Sequence, residues 1–237
     1  MDKTYLSCLA EFGIGGAHPG GLQLTKKLLT DERFDENTVV LDVGCGTGQT
    51  AAYLAKEFEC QVIAIDNNPL MVEKAKERFV NLQKEINIEV ADVQRLSFEK
   101  GSIDVILSES VLSFTDPTIS IPEITRVLKE NGRLFAIEMV LELPLNAEGR
   151  REISEFYGLG QIWTVEEWRR AFLASGLAVE SIEVPDLEAN SHDSETATDF
   201  SLSESIDEAF YDILSKHFVL TENYKDHLGV RIFKCMK

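Results

Sequence analysis

Short apolar runs, rich in β-branched residues, alternate with longer segments of helical periodicity along most of this 237-residue chain. That alternation restricts the fold to an α/β architecture, a mostly parallel sheet with helices packed on its faces. Strands are predicted over residues 38–43, 61–65, 86–90, 103–108 and 132–138. Most are unbroken apolar runs, as strands covered on both faces should be. Helices are expected between most successive pairs. Asn68 and Pro69 read as an N-cap and a first-turn proline for a helix over 70–79. Thr164 and Glu167 form a capping-box pattern for a helix running through Phe172, which Gly176 stops.

The last third changes character. Residues 178–184 read as a strand and 187–199 as a polar loop rich in Ser, Asp and Glu. A helix is predicted over 202–218, with Ile206, Phe210, Ile213 and Leu214 as its apolar stripe. Residues 229–236 read as a closing strand. The whole chain, 1–237, is taken as one domain. Residues 1–35 form an N-terminal helix or lid, 36–184 the core, and 185–237 a helical insertion with the closing strand.

Charge and cysteine usage narrow the partners. A net charge of -18 opposes nucleic-acid binding, which needs a basic face, and opposes docking on an anionic membrane. The four cysteines, Cys8, Cys45, Cys60 and Cys235, form no CxxC pair and show no metal-ligand spacing, so free thiols and no metal site are expected. No stretch of 18 apolar residues is present, and the N-terminus has no apolar run of signal-peptide length. The cytoplasm is the expected location.

The chemistry starts at Asp42-Val43-Gly44-Cys45-Gly46-Thr47-Gly48, directly after the first strand and before a helical pattern over 49–58. Glycines there permit a tight turn and let a ligand approach bare backbone, while the helix presents its first amides. A dinucleotide fingerprint, GxGxxG, requires a third glycine where this chain has Gln49. Instead an acid precedes GxGxG. A carboxylate at that position repels a pyrophosphate but suits an ammonium group. S-adenosylmethionine (SAM) carries such an amine and NAD does not.

Asp66 ends the second strand, where an acid can accept both hydroxyls of a ribose in either type of cofactor site. Asn67 beside it serves either the adenosine or the turn. Asp92 and Val93 follow the third strand. A carboxylate there can accept from an adenine amino group while Val93 packs on the ring, although an ordinary loop acid would look the same.

VLDVGCGTG (40–48), AIDNNP (64–69), ADV (91–93), IDVILSESVLSF (103–114) and LKENGRLFAIE (128–138) fall in the order found in class I SAM-dependent methyltransferases, which this sequence closely resembles. The resemblance covers residues 36–184, with an echo at the C-terminus. It implies a Rossmann-like, doubly wound seven-stranded sheet whose last strand is antiparallel and lies between the fifth and sixth. It also implies SAM as cofactor, S-adenosylhomocysteine (SAH) as product, and Asp92 as an adenine ligand. The implied cofactor set is Asp42, Gly44, Cys45, Gly46, Gly48, Asp66, Asn67, Asp92, Val93 and Ser108. Within the family the chain is similar to the small-molecule branch that includes quinone-biosynthesis and arsenite methyltransferases. Residues 17–25 (AHPGGLQLT) resemble a segment that lies over the cofactor in some of these enzymes. The cysteine placement disfavours a metalloid substrate.

SAM carries its own leaving group, so the protein must align the acceptor, exclude water and sometimes remove a proton. His18 and Glu109 are the candidate catalytic residues: one lies in the N-terminal segment, the other follows the fourth strand at the carboxyl edge. Glu138, Tyr157, Trp163 and Trp168 are secondary candidates for the acceptor pocket. His192, His217 and His227 share no pattern and are expected at the surface. The expected activity is methylation of a small-molecule acceptor, with a non-catalytic SAM-binding regulator as the alternative. A nicotinamide oxidoreductase and a nucleic-acid methyltransferase are both disfavoured. The latter lacks an NPPY-type tetrapeptide, since 108–111 reads Ser-Glu-Ser-Val.

Overall fold

A computed structural model describes residues 3–80, 82, 85–186 and 199–237. Two helices, α1 (Tyr5–Phe12) and α2 (Gly21–Leu28), precede the sheet. Then come β1 (Val39–Val43), α3 (Gln49–Glu57), β2 (Gln61–Asp66), α4 (Pro69–Phe79), β3 (Asn87–Val90), β4 (Ile103–Glu109), α5 (Pro117–Val127) and β5 (Leu128–Leu141). The chain closes with α6 (Ala147–Tyr157), α7 (Val165–Ala174), β6 (Ala178–Glu183), α8 (Ala209–Tyr224) and β7 (Leu228–Met236). The strand order is β3-β2-β1-β4-β5-β7-β6. β7 pairs antiparallel with both neighbours, and the pairs from β3 through β5 are all parallel. The seven strands and the reversed β7 between β5 and β6 are those the sequence resemblance implied.

Alternation along the strands feeds two cores. Leu41 and Val43 of β1, Ile106 of β4 and Leu134 and Ala136 of β5 pack with Ile121, Ile124, Trp168 and Phe172 on one face. Val40, Leu107, Phe135 and Ile137 pack with Leu24, Leu28, Ala51 and Leu54 on the other. Burying both faces requires the unbroken apolar runs seen in the sequence. A third cluster lies beyond the carboxyl edge, where α1, α6 and α8 bring together Tyr5, Ile153, Tyr157 and Leu220.

The caps follow local chemistry. Asn68 Oδ1 accepts the Leu70 amide at the start of α4, with Pro69 in the first turn. Thr164 and Glu167 form a reciprocal capping box on α7. Several boundaries differ from expectation, and two of them have a local cause. β5 begins four residues before Gly132, because a register shift opposite β4 loops out residues 129–132, with Asn131 at φ 62°. The late helix begins at Ala209 rather than residue 202. Its first amide donates to the Asp207 carboxylate, while Ile206 packs below as a residue outside the helix. Most of the polar loop predicted over 187–199 lies outside the described residues. Among the described residues, no helix is long and apolar enough to cross a membrane.

Candidate active site

β1 and β4 are neighbours whose following helices diverge, which opens a crevice at their carboxyl ends. The glycine loop lines it. An added Cβ at Gly46 would meet nothing within 4 Å, although its φ of 55° belongs to the left-handed region. Gly46 therefore faces open space where a ligand can touch the backbone. At Gly48 the same atom would lie 2.5 Å from Phe79 Cζ, so that glycine permits close packing of α3 on α4.

Acids converge here. Asp66 Oδ2 accepts the Gly46 amide at 2.9 Å, and its Oδ1 accepts the Asn68 amide at 2.8 Å. Burial raises the Asp66 pKa, and these two amides oppose the rise. Asp42 is buried, its Oδ2 without a partner among the described residues, and its pKa is pushed well above the usual carboxylate range by burial and then by the charges of Glu109 and Asp66. Glu109 takes the Thr25 hydroxyl at 2.5 Å and the Thr50 hydroxyl at 2.7 Å, with His18 Nε2 3.5 Å away. Glu109 thus ties α2 and α3 to the end of β4. His18 is buried, and its Nδ1 has no partner among the described residues.

The crevice continues into a cavity of about 630 Å³ that reaches under α1, α6 and α8. Of the residues singled out from sequence, His18, Gly44, Cys45, Gly46, Asp66, Asn67, Asp92, Val93, Glu109 and Tyr157 line it. Asp42, Gly48 and Ser108 do not. Ser108 is fully buried, and its hydroxyl donates to Glu138 at 3.3 Å. Asp92 lies at an exposed edge, where it accepts the Gln94 amide.

Three secondary candidates need correction. Glu138 does not end its strand. It falls on the same face of β5 as Leu134 and Ala136, fully buried. Its carboxylate takes the amides of Leu112 and Ser113 and the Ser113 hydroxyl, at 2.7–3.0 Å, so it fixes the loop after β4. Trp168 is core, stacked on Phe172, with its indole N–H donating to the Met139 carbonyl at 3.0 Å. Trp163 packs edge-on to Trp168 and also stays outside the cavity.

His217 overturns its expected surface placement. It lines the cavity, its Nδ1 lies 2.9 Å from the Tyr157 hydroxyl, and its ring stacks on Tyr5 with centroids 5.1 Å apart. The signal was present in the sequence: His217 stands four residues after Ile213 and three after Leu214, and so continues their stripe. His227 lies at the surface with Nδ1 near the Leu143 carbonyl, and His192 lies outside the described residues. Tyr5 and Phe114, which also line the cavity, carried no local signal.

An open sheet with an acid-rimmed glycine crevice at its switch point defines a protein that binds a nucleoside cofactor. Residues 41–136 match the family described as a methyltransferase domain. An uncharacterized methyltransferase, YodH, of Bacillus subtilis (strain 168) is 38% identical over 235 residues, covering 99% of this chain and 100% of that protein. Phosphoethanolamine N-methyltransferase 1 of Arabidopsis thaliana is 33% identical over 125 residues, covering 52% of this chain and 26% of its own. Among solved structures, phosphoethanolamine N-methyltransferase 2 of Haemonchus contortus in complex with SAM superposes with a TM-score of 0.75 at 20% identity, covering 93% of this chain and 53% of that one. The chain belongs to the class I SAM-dependent methyltransferases.

Proposed function

We propose that this enzyme methylates a small molecule in the cytoplasm, and that its cofactor lies along the crevice with the methyl group directed under α1, α6 and α8. The supporting observation is the convergence of Asp42, Asp66 and Glu109 around the glycine loop, none paired with a Lys or Arg among the described residues. SAM carries an ammonium, a sulfonium and one carboxylate, a net positive charge that three clustered carboxylates complement. In this reading Gly44, Cys45 and Gly46 receive the methionine portion, with the buried Asp42 adding its charge from beside the loop, Asp66 receives the ribose, and Asn67, Asp92 and Val93 the adenosine. Glu109 and His18 position the methionine end rather than take the acceptor's proton. The Glu109 oxygens are already occupied by the Thr25 and Thr50 hydroxyls.

Thermal shift tests the cofactor. SAM and SAH should each raise the melting temperature, because a ligand of the folded state alone stabilises it by mass action, and NAD should not. Equal shifts from NAD and SAH would contradict this reading of the loop. Incubating the protein with labelled SAM and fractionated metabolite extracts then tests turnover. Cofactor binding with neither SAH nor a labelled product would point to a regulator.

A further inference from the structure

The acceptor end of the cavity has a chemistry of its own. Three helices remote in sequence each place a ring there. Tyr5 of α1 meets Tyr157 of α6 edge-on at 4.8 Å and stacks on His217 of α8 at 5.1 Å, with interplanar angles of 85° and 30°. Phe114, after β4, stacks on Tyr5 from another side at 6.4 Å. Met139, Leu228 and Val230 line the same end. Stacked and edge-on rings around a cleft favour a flat guest.

Cations are scarce. Among the described lining residues the only Lys or Arg is Lys225, and its ammonium is already paired with Glu222. Asp66, Asp92 and Glu109 line the cavity as well. A phosphate or carboxylate brought here would meet acids and no free cation among the described lining residues, an unfavourable burial of unpaired charge.

Tyr157 and His217 form a polar pair at this end, with Thr221 beside them. With the proton on Nδ1 donated to the Tyr157 oxygen, the Nε2 lone pair is the ring's open acceptor; Nε2 has no partner among the described residues. Burial lowers the His217 pKa and keeps the imidazole neutral near pH 7.

We propose that the methyl acceptor is an uncharged aromatic hydroxy compound, held among Tyr5, Phe114 and Tyr157, whose hydroxyl proton passes to His217. This rests on the cofactor placement proposed above. The acceptor oxygen forms a bond to the methyl carbon, and the carbon–sulfur bond breaks with its electron pair staying on sulfur. The hydroxyl proton moves to His217 Nε2 and from there to water. Products are an aryl methyl ether, SAH and a proton.

The test uses the full chain. Calorimetry first measures SAH binding; its failure would overturn the cofactor placement, and this inference with it. The SAH-loaded protein is then titrated with 2-naphthol and, separately, with phosphoethanolamine, and both are assayed with labelled SAM. Expected are saturable binding and methylation of 2-naphthol and neither for phosphoethanolamine. Tyr5→Leu and Phe114→Leu should each weaken 2-naphthol by about three- to tenfold, the value of an aromatic pair, with SAH affinity preserved. His217→Asn should lower kcat by about 100-fold or more, as loss of a general base does, while leaving KM for SAM and the melting temperature near wild type. Methylation of phosphoethanolamine would overturn the proposal. So would a protein that binds SAH but not 2-naphthol, or an undiminished kcat in His217→Asn.

Discussion

Two glycines two residues apart have different roles. Gly46 borders open space, so Gly46→Val should cost the fold only the strain of a left-handed residue, about 1–2 kcal/mol. SAH binding should vanish, because the side chain would fill the ligand's path. Gly48→Ala, driven against Phe79, should instead lower the melting temperature more than it weakens SAH. Micromolar SAH binding by folded Gly46→Val would make that loop purely structural. Asp66→Ala should weaken SAH by about 2–3 kcal/mol through loss of two hydrogen bonds to a charged group. A calorimetric change below about threefold, or ~0.65 kcal/mol, would remove the ribose role. Glu138 carries the clearest pH signature. Burial raises its pKa from the ordinary 4.5 to about 7. The folded state then binds more protons than the unfolded one between those values, so this group's contribution falls as pH rises from about 4.5 to 7. Denaturation of Glu138→Gln across that window should show this limb flattened; an unchanged slope would mean that another group causes it.

At the level of elements, the N-terminal segment is laced to its surroundings. Gly15 donates its amide to the Asp199 carbonyl, and the Ser201 and Ser203 amides donate to Gly13 and Glu11 carbonyls, at 2.9–3.0 Å. Arg78 of α4 grips Thr47 and Asp199, and Lys74 reaches Glu11, Ser201 and Ser203. Residues 10–25 can therefore close over a cofactor only together with 199–203. SAH should slow hydrogen exchange in both segments in concert, since ordering the backbone raises its protection. A chain lacking residues 1–21 should fold and bind SAH weakly but lose turnover as water enters. Exchange indifferent to SAH, or full activity of the truncated chain, would refute closure.

For the whole molecule, the net charge of -18 acts through self-repulsion rather than through any one contact. Raising salt from about 10 mM to 0.15 M shortens the Debye length from ~30 Å to ~8 Å and should raise the melting temperature. A flat or falling response would show that local ion pairs, such as Arg133–Glu32 and Arg231–Glu142, outweigh the global field.

What the sequence determined by itself is the part written locally. The apolar runs define the strands, Asn68 and the Thr164–Glu167 pair start their helices, and the acid-GxGxG spacing marks the cofactor crevice. Each depends on residues within a turn or a strand of one another, where periodicity and spacing carry the information. Only the tertiary structure decided the aromatic end of the cavity. Tyr157 and His217 lie 60 residues apart, and Tyr5 lies more distant still from both. Their meeting depends on how α1, α6 and α8 stack beyond the sheet edge, which no local pattern encodes. Glu138 shows the same limit from the other side. Its strand was legible, but whether its carboxylate faced a ligand or a loop depended on the five residues after β4 folding back onto it. Burying that charge is tolerated only where such donors converge.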